Sequence, residues 1–360
     1  MKKLNWLPRI FLVGIMLSSL GVGVAHSETF ILRIGSGHPS KPVAYVDQME
    51  HFFVPEVTKR VKERTQHTVK FIQGYAGTIA KVHETLEAVQ KGILDIGGWC
   101  VCFEPTKAAA LNLTYYVPFA SPDTNVQVKA FRKILTNFPG IYKDLEGKFN
   151  QKLLAISGFD NYGLGTTFPW EKFSDLKGHK ILAAGPNLPW VSGSGAIPVT
   201  TTLPTAYNQL QTGIGEGIIM FPGSYFGFKF HEPAPHYKIT NFGGTAQVAL
   251  TMNLNSRKKL PKEVLEIIDE VGKEYEIVAT KVAMNKHDRG LENLRKHPRA
   301  KVTKITKEAQ IAWAKSLEPW VNQKIKDFNK MGLDGTNIFK RLIQYQEELG
   351  FEFNYRYNIE

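Results

Sequence analysis

Thr78–Trp99, TIAKVHETLEAVQKGILDIGGW, joins a helix pattern directly to a strand pattern. Apolar residues recur every three or four positions as far as Gly92, which predicts an amphipathic helix, and the closing run ILDIGGW predicts a buried strand. A β-rich run at 30–37, an amphipathic helix from about Val43 to Thr65 and a strand at 67–74 come before it. This alternation has the spacing of βαβ units and predicts an α/β fold with an open sheet.

A second α/β unit is predicted over residues 151–245. Its strand patterns are KLLAISGF at 152–159, HKILAAG at 179–185 and GEGIIMF at 215–221, and LPTAYNQLQTG at 203–213 supplies a helix. At 360 residues the chain is long enough for two domains with cores of their own.

The last third of the chain is charged and helical in pattern. Helical spacing of apolar residues is found over Pro261–His297, Thr306–Gly332 and 337–350. Trp313 and Trp320 lie seven positions apart and therefore on one helix face, where we expect them to pack in the core.

The first 27 residues predict an export signal. Basic residues precede an apolar run, Ile10–Val24, and the small-residue site Ala25-His26-Ser27 follows it. The run is short for a bilayer span, so we expect cleavage near Ser27; an uncleaved anchor is the alternative.

The net charge of +12 comes mainly from lysine-rich helical patterns such as KRVKER at 59–64. No basic patch is interleaved with aromatic residues in the manner of nucleic-acid-binding surfaces. We therefore expect solvated helix faces and no nucleic-acid partner.

The two cysteines, Cys100 and Cys102, stand in GGWCVCFEP at 97–105. If the strand continues through them, their side chains point to the same face two positions apart, which disfavours a disulfide between them. No further Cys or His lies at zinc-ligand spacing. The sequence therefore predicts two small apolar side chains in a strand and no metal site.

Catalytic motifs are weak. GIGEGI at 213–218 and GLGTTF at 163–168 lack the helix and lysine of a phosphate loop. SGSGA, Ser192–Ala196, resembles half of a nucleophile elbow, so an exported hydrolase with His231 or His236 as its base stays an alternative. A binding protein fits better, because nothing in the sequence brings the histidines together.

The order of motifs along the mature chain resembles the solute-binding proteins of TRAP (tripartite ATP-independent periplasmic) transporters, in the DctP-type, C4-dicarboxylate branch. The matching segments are LRIGSGHP (32–39), HETLEAVQKGILDIGG (83–98), TYYVPFASPDTN (114–125), FSDLKGHKI (173–181), GAIPVTTTLPTAYNQLQTGIGEG (195–217) and MNLNSRKKLPKEV (252–264).

This resemblance implies a two-lobed periplasmic-binding-protein fold whose lobes are joined by crossing strands and a long helix. Lobe I would comprise 28–150 with about 246–285, and lobe II 151–245 with about 286–360. Such a protein, located in the periplasm, captures a small ligand in the interlobe cleft without a cofactor and delivers it to membrane permease subunits. It is not an enzyme.

The resemblance also implies where the ligand binds, and several of these positions are unusual here. Most members have an arginine that pairs with a ligand carboxylate in the strand after Leu-Lys-Gly, where this chain has Leu182; the whole stretch from Lys133 to Ser256 contains no arginine. The other family positions, with their usual residues, are Leu164 (arginine), Met220 (asparagine), Leu203 (aromatic), Gly37 (asparagine) and Cys100 (acid).

Because these positions are apolar together, we expect a neutral or largely apolar ligand, aromatic or lipid-like. The alternative is a carboxylate held by a lysine or histidine; the candidates are Lys180, His38, Lys81 and Lys229. Aromatic candidates near the cleft are Trp99, Phe103, Trp190, Phe221, Tyr225 and Phe226, and we expect about half of them to serve packing alone.

Overall fold

The computed structural model describes residues 27–41 and 43–359. Apart from Ser27, the predicted export signal lies outside this part of the chain. The described residues form an α/β fold with two sheets, and we call the units built on them the first and the second lobe.

The strands are β1 (Thr29–Gly35), β2 (Thr68–Gly74), β3 (Ile96–Cys100), β4 (Gln151–Phe159), β5 (Gly163–Thr166), β6 (Lys180–Ala183), β7 (Ile197–Thr200), β8 (Gly217–Met220), β9 (His236–Ile239), β10 (Thr245–Asn253) and β11 (Lys301–Lys304). The order is β2-β1-β3-β10-β4 in the first sheet and β11-β9-β5-β8-β6-β7 in the second.

The α-helices are α1 (Ala44–Gln48), α2 (Val54–Arg64), α3 (Thr85–Gln90), α4 (Thr124–Asn137), α5 (Lys143–Gly147), α6 (Leu203–Gln211), α7 (Pro222–Gly227), α8 (Leu254–Arg257), α9 (Lys262–Lys296), α10 (Lys307–Lys330) and α11 (Gly335–Glu348). A π-helical turn, Met49–Phe53, joins α1 to α2. The resulting helical run from 44 to 64 confirms the helix predicted at Val43–Thr65.

The first sheet is the core of its lobe. β1 runs parallel to β2 and β3, whereas β10 runs antiparallel to β3 and β4. Every residue of β3 and β10 is buried, because helices and loops cover both faces of these central strands.

The helix predicted over 78–92 is shorter than expected, since α3 begins only at Thr85. The preceding segment forms turns that lie against Gly37: a Cβ on Gly37 would be 2.2 Å from the Val82 nitrogen. Lys81 donates its backbone N–H to Glu84 Oε2 at 3.0 Å, which fixes the turn before the helix. This tertiary contact overrides the helical pattern.

Two adjacent chain segments, 160–162 and 240–244, connect the lobes. They are hydrogen-bonded to each other: the N–H of Tyr162 donates to the Gly243 carbonyl, and the N–H of Phe242 donates to the Tyr162 carbonyl, both at 3.2 Å. The long helix α9 packs against β4 of the first lobe and α7 of the second. The expected two-lobed fold, with crossing strands and a long helix, is confirmed.

The strands divide between the sheets differently from the proposed boundary at residue 150. β4 pairs with β10 in the first sheet, so the chain crosses to the second sheet only after Phe159. The C-terminal helix α11 also packs on α4 of the first lobe, and Gln346 Oε1 accepts the Ser121 N–H at 3.0 Å. Sequence periodicity identifies strands but does not say which sheet each strand joins.

Candidate ligand-binding cleft

A cavity of about 430 Å³ lies between the two lobes. The first lobe contributes His83, Cys102, Phe103, Pro105 and Tyr116. The second contributes Gly185, Pro186, Leu188, Pro189, Thr200 and Thr201, and α10 contributes Trp320 and Lys324. The cavity therefore has the interlobe position expected of a ligand site in such a fold.

The lobes touch at one edge of this cavity. Gly185 has φ +59°, and a Cβ there would lie 2.0 Å from the carbonyl oxygen of Cys102. Only glycine allows both this backbone conformation and this close approach. Gly185 thus fixes how near the two cavity walls can come.

Most of the cavity surface is apolar. The rings of Tyr116 and Trp320 meet edge to face with their centroids 5.9 Å apart. Burial raises the pKa of Tyr116, so its hydroxyl stays protonated at neutral pH. Among the described lining residues, Lys324 is the one lysine or arginine, and His83 and two threonines add hydrogen-bonding groups.

A buried aromatic cluster at the crossing segments contains two predicted site residues, Trp190 and Phe221. The Tyr162 ring lies 5.5 Å from Trp190 and 5.3 Å from Phe221, and Phe221 lies 5.0 Å from Phe159. Trp190 Nε1 donates to the Tyr115 carbonyl at 2.9 Å. The two residues lie in one cluster, but neither lines the described cavity.

The cluster also contains a buried polar contact. The hydroxyls of Tyr115 and Tyr162 are 3.0 Å apart, and Gln247 Nε2 donates to Tyr162 Oη at 2.9 Å. Burial raises the pKa of Tyr162 to about 12. These bonds join the first lobe to a crossing segment, and they fix the Tyr162 ring between Trp190 and Phe221.

The two leucines predicted to occupy the family's arginine positions, Leu182 and Leu164, are fully buried in the second sheet. A Cβ on Gly215 would lie 2.3 Å from Leu182 Cγ, so the Leu182 side chain fills the space beside that glycine. Leu164 pairs with Ile219 and Lys238 inside the sheet. Neither leucine lines the cavity.

Four other predicted site residues also make packing contacts outside the cavity. Tyr225 lies under Gly165, and its hydroxyl donates to the Ala234 carbonyl. Trp99 Nε1 donates to Thr251 Oγ1 at 3.0 Å. Met220 is the last residue of β8 and Leu203 the first of α6, and both are buried. The remaining aromatic candidate, Phe226, stacks on His231 with ring centroids 4.8 Å apart.

His38 forms a second layer behind the cavity wall. Its ring lies 5.5 Å from the ring of Phe103, and its Nδ1 is 3.0 Å from the Tyr45 hydroxyl. Burial, with a smaller contribution from nearby His83, lowers the pKa of His38 to about 4. The ring is therefore neutral at pH 7. Gly37 packs against the Lys81–Val82 backbone, as described above.

The other proposed cation anchors are exposed residues that do not line the cavity. Lys81, Lys180 and Lys229 are all exposed, and none of them contributes to its lining. The cationic side chain at the cavity instead belongs to α10.

The prediction that Cys100 and Cys102 stay unpaired is wrong, because the two residues form a disulfide. The strand does not continue through them: β3 ends at Cys100, and a 3-10 turn, Val101–Phe103, follows. The turn brings the two Cα atoms to 5.2 Å. Cys102 and Phe103 thereby become part of the cavity wall.

The sequence interpretation missed the contribution of α10. Trp313 is core, as expected, and its ring packs on Phe119, Phe173 and Phe242. Trp320, expected in the core as well, lines the cavity together with Lys324. An aromatic residue and a lysine four positions apart share a helix face, and this was the available signal.

The motif considered for a hydrolase has no catalytic geometry. The hydroxyls of Ser192 and Ser194 donate to the carbonyls of Pro189 and Val191, each at 2.6 Å. Within residues 27–41 and 43–359, neither serine is hydrogen-bonded to a histidine. The same residues contain no group of three or more side chains placed to hold a metal ion. No helix in this part of the chain is both long and apolar enough to cross a bilayer.

Three solved structures illustrate the likeness in fold. A TRAP periplasmic solute-binding protein from Bordetella bronchiseptica, with bound (R)- and (S)-mandelate, has a TM-score of 0.77 at 18% identity and covers 89% of this chain and 99% of its own. One from Rhodoferax ferrireducens, with copurified benzoate, has a TM-score of 0.77 at 17% identity and covers 88% of this chain and 98% of its own. The ectoine-binding protein of Halomonas elongata has a TM-score of 0.74 at 16% identity and covers 88% of this chain and 99% of its own.

Two curated proteins are similar in sequence. A solute-binding protein of Sulfitobacter sp. (strain NAS-14.1) is 27% identical over 133 residues, which is 36% of this chain and 40% of the relative. The C4-dicarboxylate-binding periplasmic protein DctP of Rhodobacter capsulatus is 24% identical over 144 residues, 40% of this chain and 41% of the relative. The match thus spans about two fifths of the length of each relative.

The family comparison covers much more of the chain. The family model described as "Bacterial extracellular solute-binding protein, family 7" (DctP) matches residues 43–327. This range includes every strand from β2 to β11, the crossing segments and the part of α10 that lines the cavity. The members of this family are solute-binding receptors and not enzymes. The chain belongs to family 7 of the bacterial extracellular solute-binding proteins.

Proposed function

We propose that this protein is the periplasmic solute-binding subunit of a TRAP-type transporter, which captures a small ligand between its lobes and passes it to membrane permease subunits. The observation that supports this most is the interlobe cavity of about 430 Å³. Its size is in the usual range for small-molecule sites, ~300–1,000 Å³. Family membership and the predicted export signal agree with this role.

We further propose that the body of the ligand is apolar and of aromatic size. Phe103, Tyr116 and Trp320 contribute rings to the cavity, and three prolines and a leucine add further apolar surface. Burying an aromatic face of ~150 Å² contributes about 4 kcal/mol at ~25 cal/mol per Å². Two structural neighbours hold mandelate and benzoate, which are aromatic acids, whereas a third binds ectoine.

The mechanism is a change in the population of the closed state. A ligand stabilises closure only by the extra affinity that it has for the closed state over the open one. Here that difference comes from contacts that require both lobes at once: Phe103 from the first lobe and Leu188 from the second, together with the lining residues of α10. The crossing segments act as the hinge.

Native mass spectrometry of the protein purified from its own source tests this proposal. A ligand retained through purification is expected to be a single small molecule with an aromatic or alicyclic body. A dicarboxylate without such a body would contradict the proposed ligand class. If no compound from a chemically broad library raises the melting temperature, the receptor role itself fails.

A further inference from the structure

Lys324 lines the cavity, one helical turn beyond Trp320 on α10. Its Nζ is 5.5 Å from the centre of the Tyr116 ring and 2.9 Å from Asp327 Oδ2. Trp320 contacts the same tyrosine ring from the neighbouring turn. The helix therefore presents an aromatic surface and an ammonium group side by side.

The ammonium group keeps capacity for another acceptor. An ammonium has three N–H donors, and the contact with Asp327 occupies one of them. The side chains of Lys324 and Asp327 are 28% and 37% exposed, and ion pairs with that much exposure contribute only ~0–1 kcal/mol. A ligand group can therefore add to this contact, or exchange with it, at little cost.

Occupation of the cavity changes the surroundings of this charge. A ligand that fills the apolar space displaces the water around Nζ, and a cation without sufficient partners is then costly to bury. A ligand with an acceptor close to Nζ avoids that cost, and an anionic acceptor forms the strongest bond. Because no second lysine or arginine lies among the described lining residues, the cavity offers a place for one negative group.

We infer that Lys324 selects ligands by charge through an ion pair with the ligand, so that the preferred ligand is a monoanion with an apolar body. The body lies against Tyr116, Trp320 and Phe103, and the anionic group binds Nζ. This inference rests on the proposed function and specifies it. The clamp positions in the strands are apolar, and the cation is supplied instead by a C-terminal helix outside the arginine-free segment from Lys133 to Ser256.

The test uses benzoate and benzamide, which have nearly the same shape and differ in charge. Isothermal titration calorimetry of the full mature chain is run with both probes on wild type, Lys324→Gln and Lys324→Arg. Lys326→Gln serves as the matched control, because Lys326 is exposed, lies two positions further along the helix and does not line the cavity.

We expect wild type to bind benzoate at least about tenfold more tightly than benzamide, because a charge-assisted hydrogen bond is the stronger one. Lys324→Gln should remove that preference by weakening benzoate binding alone, Lys324→Arg should restore most of it, and Lys326→Gln should leave it unchanged. Added salt should weaken benzoate binding in wild type more than in Lys324→Gln.

Three outcomes would overturn the inference. If wild type binds both probes equally, Lys324 does not read charge, although the apolar site stands. If Lys324→Gln weakens both probes in parallel, the residue has only a structural role. If wild type binds neither probe, the proposed ligand class fails and this inference fails with it.

Discussion

The strands of the second lobe and the cavity-facing side of α10 differ in what their side chains contact. The sequence resemblance predicts ligand-binding arginine positions at Leu182 and Leu164, yet both leucines are fully buried against their own sheet. Trp320 and Lys324 lie on a helix whose pattern indicates core packing, yet they face the open space between the lobes. Burial of a position in its own lobe therefore decides whether it can contact a ligand.

The largest expected effect is that of Leu182→Arg, which tests whether the strands of the second lobe are closed to a ligand. An arginine here would bury a charge beside Gly215 without a partner, and we expect a loss of at least ~3 kcal/mol in the free energy of unfolding. Urea denaturation measures it, with Lys180→Arg at the exposed first residue of the same strand as control. A stable Leu182→Arg variant that gains carboxylate binding would show that the side chain at position 182 can reach a ligand.

The two tryptophans of α10 separate packing from binding on one helix. Trp313→Ala should lower the free energy of unfolding by ~3–5 kcal/mol, because the ring is fully buried in the core. Trp320→Ala should cost much less stability but should weaken benzoate binding by about tenfold through the lost aromatic contact. Denaturation and calorimetry on both variants check this. Equal stability losses with unchanged binding would place Trp320 in the core.

The pH dependence of the free energy of unfolding tests whether His38 is buried behind the first-lobe side of the cavity. Its pKa is about 4 in the folded protein, below the ordinary value of 6.5, so the unfolded chain binds the proton more readily. The stability contributed by the neutral ring is complete above pH 6.5 and declines as the pH falls toward 4. Between pH 7 and 5 the expected loss is ~2 kcal/mol.

His38→Gln should remove most of that pH dependence, whereas His51→Gln, at an exposed position, should retain it. Urea denaturation at several pH values provides the comparison. A wild-type stability that does not change between pH 7 and 5 would contradict the buried placement of His38.

The smallest effect is expected at the contact between the lobes. Gly185→Ala meets the Cys102 carbonyl, and Gly178→Ala has a similar positive φ but no neighbour within 4 Å. Both variants should lose ~1 kcal/mol to backbone strain. Only Gly185→Ala should also weaken benzoate binding, by a few-fold, because it holds the lobes apart. Equal affinities in the two variants would show that the closed state does not need this contact.

Much of the fold could be predicted from the sequence because helix and strand patterns are local. The helical run at 44–64 and the long helix α9 begin and end near their predicted positions. The placement of β4 in the first sheet could not be predicted, since it depends on pairing with β10, about a hundred residues away.

The site was less predictable because it depends on how loops meet across the lobes. The family's order of motifs leads to Leu182, but only the packing of Gly215 shows that this side chain is enclosed. The turn after Cys100, which creates both the disulfide and the Phe103 wall, breaks a strand pattern that continues in the sequence. The apolar residues of α10 have the spacing of a core helix. That Trp320 lines the cavity results from the position of the whole helix.

A crystal structure of the protein with the ligand that it retains from its own source tests the central claim most directly. We predict that the ligand lies between the lobes with its apolar body in contact with Tyr116 and Trp320 and its anionic group at Lys324. A ligand bound against Leu182 and Leu164, with the α10 cavity empty, would contradict the account.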